Sequence, residues 1–73
     1  MANTDKQFFI FLGTKIREER VKRGWTQEGL GERARVHRTY VGMVERGEKN
    51  ITLSNIHKFA HALGLKVRDL IDF

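Results

Sequence analysis

Apolar residues in this chain recur at three- and four-residue intervals, in short runs that close at Gly24, Gly47 and Gly64. That spacing is the period of a helix, and glycine suits the left-handed position that ends one. No segment alternates apolar and polar side chains long enough for a strand, and no proline interrupts the helical pattern. The first run, Phe9 to Arg23, puts Phe9, Leu12, Ile16 and Arg20 on one face. Thr26 then caps a second helix, Gln27 to about Ala34, with Trp25 and Leu30 flanking the cap as a hydrophobic staple. A tight connection at Arg35 and Val36 leads to a third helix, about Arg38 to Arg46. Thr52 caps a fourth, with Ile51 and Ile56 as its staple and an inward face read as Leu53, Ile56, Phe59, Ala60 and Leu63. A short fifth helix, about Val67 to Asp72, offers Val67, Leu70 and Ile71. The pattern predicts an all-α fold, a single compact five-helix domain over 8–73, with 1–7 a flexible N-terminus.

Seventy-three residues bury a modest core, and such a domain ordinarily needs some added staple. There is no cysteine, so neither a disulfide nor a thiolate metal site can supply one; this suits a reducing, cytoplasmic location. The longest apolar run, Phe8 to Leu12, falls far short of the roughly 20 residues that span a bilayer. It also lacks the basic flank and cleavage site of a signal peptide. Self-association is the staple that remains. Charge is more informative: 14 Lys and Arg oppose nine Asp and Glu, a net +5. Between Gly13 and Asn50 ten basic residues face six acids, so most of the excess sits in one stretch. A localised positive field favours a polyanion, although a merely solubilising surface would look similar.

The third helix narrows the choice. At about 100° per residue, Val41 and Val44 fall together and mark the buried side. The remaining face holds Arg38, Thr39, Met43 and Arg46, with Gly42 between. Arginine presents a fork to guanine O6 and N7, and threonine or methionine can meet a thymine methyl. Gly42 costs roughly 1 kcal/mol of helix stability against alanine, which makes sense if something approaches the helix closely there. An ordinary basic, solvated face is the competing explanation.

The arrangement T-Q-E-x-L-x-x-x-A-x-V-H-R-T-Y-V-x-x-V-E-R-G, Thr26 to Gly47, resembles the helix-turn-helix of the lambda-repressor and Cro-like (XRE) family. The likeness runs from about Leu12 to Leu70. Within the family, H-R-T-Y and V-E-R-G-E-K-N-I-T-L look most like restriction-modification controller proteins, small dimeric autoregulators of transcription. The resemblance implies a lambda-repressor-like domain that binds a roughly palindromic double-stranded DNA operator as a homodimer. RNA polymerase is a further partner such a regulator would meet. Residue by residue, it implies base contacts from Arg38, Thr39 and Met43, with Tyr40 at the groove margin. Gln27 would touch a phosphate, and Arg46, Lys49 and Asn50 would fasten the following loop to the backbone. Arg20 and Glu45 match a partly buried ion pair joining the first helix to the third. Leu65, Ile71 and Phe73 are surplus to one inward stripe and become the expected dimer interface, with Phe8 and Phe11 also in excess. Three departures bear on geometry. Arg35 stands where the family usually turns through glycine, Gly29 and Gly31 lie within the second helix, and His37 replaces the usual Ser or Thr cap.

Other classes find less support. His57 and His61 stand at i and i+4, a spacing that can hold zinc, but no glutamate follows His57 and there is no cysteine. A solvated histidine pair is the better reading, and Ser54 shows no sign of a base partner. No enzyme, metal, cofactor or small-molecule ligand is therefore expected. An antitoxin whose main partner is a protein toxin is the alternative, weakened because the chain stops at Phe73 without a wrapping segment. RNA binding lacks exposed aromatic pairs on the basic face, and the first helix's aromatics are needed for the core rather than a membrane surface.

Overall fold

The computed structural model describes residues 2–73, with side chains from Asp5 onward. Five helices follow in order: α1 (Ala2–Lys22), α2 (Gln27–Ala34), α3 (Arg38–Glu45), α4 (Leu53–Leu63) and α5 (Val67–Ile71). No strand occurs among the described residues, and no helix is long and apolar enough to cross a membrane. α1 runs back to Ala2, through the segment expected to be a flexible N-terminus, with Met1 outside the described residues. Once a helix is nucleated on a packed core, adding residues costs little, and Asp5 in the first turn complements the helix dipole.

The caps form as their chemistry requires. Thr26 accepts from the Gly29 N–H at 2.9 Å, and Thr52 accepts from the Asn55 N–H at 3.2 Å. His37 caps through its ring: Nδ1 accepts from the Thr39 N–H at 3.0 Å, replacing a hydroxyl. Arg35 adopts the left-handed conformation that glycine takes most easily, with φ 61° and ψ 44°. Its N–H caps the carbonyls at the end of α2, which offsets a conformation costing about 1 kcal/mol for a residue with a Cβ.

α1, α2, α3 and α4 enclose a core of Leu12, Ile16, Leu30, Val41, Val44 and Phe59, and α5 adds Leu70. Both staple pairs are in use: Ile51 and Ile56 are buried, as is Leu30, with Trp25 half-buried beside it. Leu53 corrects the expected inward face of α4, since it is 71% exposed. It is the first helical residue and lies about 60° from Ile56, so the apolar stripe begins one turn later. Two glycines set helix separations. A Cβ at Gly13 would collide with the Val44 and Glu45 carbonyl oxygens, so α1 crosses the end of α3 at backbone contact. At Gly31 a Cβ would lie 2.7 Å from the Val36 oxygen, so the second-helix glycine admits the α2–α3 turn.

At the C-terminal end of α1, buried Glu19 gathers three cations. Arg23 Nη1 lies at 2.8 Å, Lys22 Nζ at 3.1 Å and Lys15 Nζ at 3.3 Å. Arg23 also donates from Nη2 to the Leu63 carbonyl at 2.7 Å, tying the end of α1 to the end of α4. The Arg23 hydrogen bond, working against burial and helped by Lys22 and Lys15, lowers the Glu19 pKa from 4.5 to about 2. A depressed carboxylate stabilises the fold above its unfolded pKa and loses that contribution as pH falls towards its folded one. Glu19→Gln should therefore cost about 1–2 kcal/mol near neutrality, a shift discounted because the partners are partly solvated. Urea midpoints should show the gap between wild type and variant closing between pH 4.5 and 2. A gap of constant size across that range would refute the assignment.

Candidate nucleic-acid interface

The two faces of α3 divide sharply. Val41 and Val44 enter the core, while Arg38 and Thr39 are exposed and Met43 is half-buried. Arg46, the C-cap residue, is exposed, and Lys49 and Asn50 lie exposed in the loop beyond it. The residues expected to contact bases and backbone are thus accessible to solvent, Met43 in part. Gly42 does not belong to that surface; it is buried. A Cβ there would meet Arg46 Nη1 at 3.1 Å and Gln27 Oε1 at 3.4 Å, so the close approach comes from the chain itself.

Behind this surface lies the contact that fixes its orientation. Arg20 of α1 donates to Glu45 of α3 through Nε at 2.7 Å and Nη2 at 3.0 Å, a two-pronged pair. The Arg20 side chain is 12% exposed and that of Glu45 2%. The third donor group, Arg20 Nη1, reaches the Trp25 carbonyl at 2.8 Å. Gln27, first in α2, donates from Nε2 to Glu45 Oε1 at 3.1 Å. One carboxylate therefore joins α1, α2 and α3, and no buried side-chain polar atom among the described residues lacks a partner. This bond uses one N–H of the Gln27 amide, the side chain expected to touch a phosphate.

Tyr40 likewise turns inward. Its ring stacks on Phe59 with centroids 6.3 Å apart and planes 14° apart, and its hydroxyl accepts from Asn55 Nδ2 at 3.0 Å. It belongs to the α3–α4 contact rather than standing free at a groove margin. The two arginines at the ends of α3 each face a carboxylate. Arg38 Nη1 lies 3.7 Å from Glu28 Oε1, and Arg46 Nε donates to Glu48 Oε2 at 3.0 Å. Glu48 holds the Arg46 guanidinium above its usual pKa, so it stays charged throughout the accessible range. Glu28 had no place in the sequence reading, nor did the inward bond of Gln27. The Glu19 cluster was not named from the sequence either, although the i and i+4 spacings of Lys15, Glu19 and Arg23 are a local signal for it.

On the far side of the molecule, His57 and His61 stack with ring centroids 6.3 Å apart, both exposed. Among the described residues no group of three or more His, Cys, Asp or Glu is arranged to hold a metal.

Two short helices set at a tight turn, the second exposing a polar and basic face, define a helix-turn-helix unit. Residues 16–70 match the profile of the family described as helix-turn-helix, and the chain belongs to that family of DNA-binding transcription regulators. It is similar to restriction-modification control proteins in particular. It is 42% identical over 65 residues to control protein C.BamHI of Bacillus amyloliquefaciens, covering 88% of this chain and 80% of that one. To control protein C.SmaI of Serratia marcescens it is 42% identical over 60 residues, covering 82% and 71%. The crystal structure of the controller C.AhdI from Aeromonas hydrophila superposes with a TM-score of 0.82 at 42% identity, covering 85% of this chain and 94% of that one.

Removing one partner of a buried pair strands the other, which costs about 3 kcal/mol; replacing both with apolar residues costs far less. Glu45→Leu alone should therefore destabilise the fold by about that amount in urea titrations, and Arg20→Met should rescue a large part of it. Strictly additive losses in the double variant would mean that the pair does not couple α1 to α3.

Proposed function

We propose that this protein is a sequence-specific regulator of the restriction-modification controller type, reading duplex DNA with the exposed face of α3. One observation carries the reading: Arg38 and Thr39 are exposed and Met43 partly so on a helix whose C-terminal end is held by the Arg20–Glu45–Gln27 bonds. Arg38, Thr39 and Met43 supply the groups that distinguish base edges in a major groove. Arg46, Lys49 and Asn50 engage backbone phosphates, which set register without reading sequence. Inward-turned Tyr40 and Gln27 act by holding α3 in place. An effect on transcription then follows from recruiting RNA polymerase or excluding it, in the cytoplasm.

The regulator acts as a two-fold homodimer on a roughly palindromic operator. One α3 spans too few base pairs for useful specificity, whereas two related by a dyad meet successive major grooves about 34 Å apart. Exposed apolar side chains at one end of the molecule support this reading. Ile71 is 37% exposed, Phe73 59% and Phe11 52%, and the Phe73 ring lies 5.3 Å from that of Phe11 and 5.6 Å from that of Phe8. Leu65 contributes less, being half-buried against the core.

A dimer neutralising about six to ten phosphates should bind duplex DNA with a log K against log[salt] slope near −5 to −9. Lys49→Ala should lower affinity for all sequences alike and flatten that slope by about 2. Sedimentation equilibrium should give a dimer that Ile71→Glu dissociates, together with weaker DNA binding. A slope near zero would remove the DNA reading, and a dimer indifferent to Ile71→Glu would move the interface elsewhere.

A further inference from the structure

The pairing of Arg38 with Glu28 has no role in holding the fold together. Both side chains are about two-thirds exposed, at 65% and 63%, and the separation of 3.7 Å is an ion-pair distance without a hydrogen bond. The two residues both line an open cleft of about 530 Å³ between α2 and the start of α3, which Glu32, Arg35 and His37 also line. Glu28 lies in the first turn of α2 and Arg38 is the first residue of α3, so the fixed helix-turn-helix geometry sets their approach. A carboxylate beside a DNA-facing surface is electrostatically costly, because every nearby phosphate repels it. Its position beside Arg38 offers a return for that cost.

We infer that Glu28 is a specificity-determining residue that acts through Arg38. The inference rests on the reading of Arg38 as a base contact given above. An exposed arginine near duplex DNA has two competing destinations. One is a phosphate, available at every sequence; the other is a guanine edge, available only at the right one. Glu28 biases this competition in two ways. It attracts the guanidinium to the α2 side of the reading face, so that less side-chain freedom is lost on docking. It also neutralises the local charge that would draw Arg38 to the backbone. The pair is loose enough to leave most guanidinium N–H groups free for O6 and N7 of a guanine. Specificity arises here from weakening the wrong interaction as much as from making the right one.

The test compares discrimination at each base position, measured as the ratio of Kd values for preferred and single-substituted duplexes. Wild type, Glu28→Gln, Arg38→Ala and the double variant are measured together, with Glu32→Gln as a control for simple charge removal. Glu32 lies one turn further along α2 and is not paired with Arg38. Glu28→Gln should tighten binding to non-preferred duplexes by about two- to fivefold and steepen their salt dependence. It should cut discrimination by a similar factor at the one position per half-site that Arg38 reads, leaving the other positions unchanged. On the Arg38→Ala background it should change discrimination nowhere. Glu28→Asp should restore part of the loss, and Glu32→Gln should leave discrimination intact. Unchanged discrimination in Glu28→Gln, while Arg38→Ala abolishes it at one position, would overturn the inference and leave the proposed function standing. Loss of discrimination by Glu28→Gln without Arg38 would overturn it too, since Glu28 would then read a base itself. If Arg38→Ala left every position unaffected, the base-reading role of Arg38 would fall, and this inference with it.

Discussion

Glu45 is the residue on which the geometry of the molecule turns. Its carboxylate accepts two bonds from Arg20 and one from Gln27, and so receives partners from α1 and α2 while standing on α3. Taking a carboxylate and a guanidinium out of water carries a desolvation penalty of several kcal/mol each, so the pair contributes little net stability over an apolar substitute. What it supplies is direction. Apolar packing of Val41 and Val44 tolerates small rotations of a helix about its own axis, whereas a two-pronged ion pair does not. Arg20 is itself held by its bond to the Trp25 carbonyl, so Glu45 meets a guanidinium anchored to the α1–α2 turn.

The neighbouring features follow from that constraint. Glu45 can meet Arg20 only if α1 and α3 approach closely, and Gly13 permits it by having no side chain where the Val44 and Glu45 carbonyls sit. Gln27 lies beside Gly42 on its way to Glu45, where a Cβ would come within 3.4 Å of its amide oxygen. At Gly13 the cost of a glycine in a helix, up to about 1 kcal/mol, is offset by a backbone approach that no larger residue would allow. A second polar cluster, Glu19 with Arg23, fastens the same C-terminal end of α1 to the end of α4. The first helix is thus pinned at two places, once to the reading unit and once to the scaffold behind it.

Helix positions were legible in the sequence because each rests on a local rule: a cap hydroxyl, a staple pair, a closing glycine. The bounds of α2 and the start of α4 came out at Gln27 and Leu53, where Thr26 and Thr52 cap them. The Arg20–Glu45 meeting was implied by family likeness, and the exposed positions of Arg38, Thr39, Lys49 and Asn50 followed from helix period and loop placement. The errors lie where three-dimensional neighbours decide. Gly42 read as part of the outward face because a helical wheel does not show Gln27 lying across it. The partners of Tyr40, Phe59 beneath its ring and Asn55 at its hydroxyl, were equally hidden, because nothing in the local sequence reveals them. Leu53 read as core because period alone does not say where the core ends. The Glu28–Arg38 approach depends on the angle of the α2–α3 turn, which Arg35 sets by a conformation that residue type would not have predicted.

The central claim is that two locked copies of α3 read a duplex through Arg38, Thr39 and Met43. Selecting bound duplexes from a random pool tests it most directly, because the enriched sequence reports base preference, symmetry and spacing together. Two inverted half-sites with centres about one helical turn apart are expected, one position in each losing its preference when the selection is repeated with Arg38→Ala. A pool that stays random, or a single half-site whose preferences survive Arg38→Ala unchanged, would contradict it.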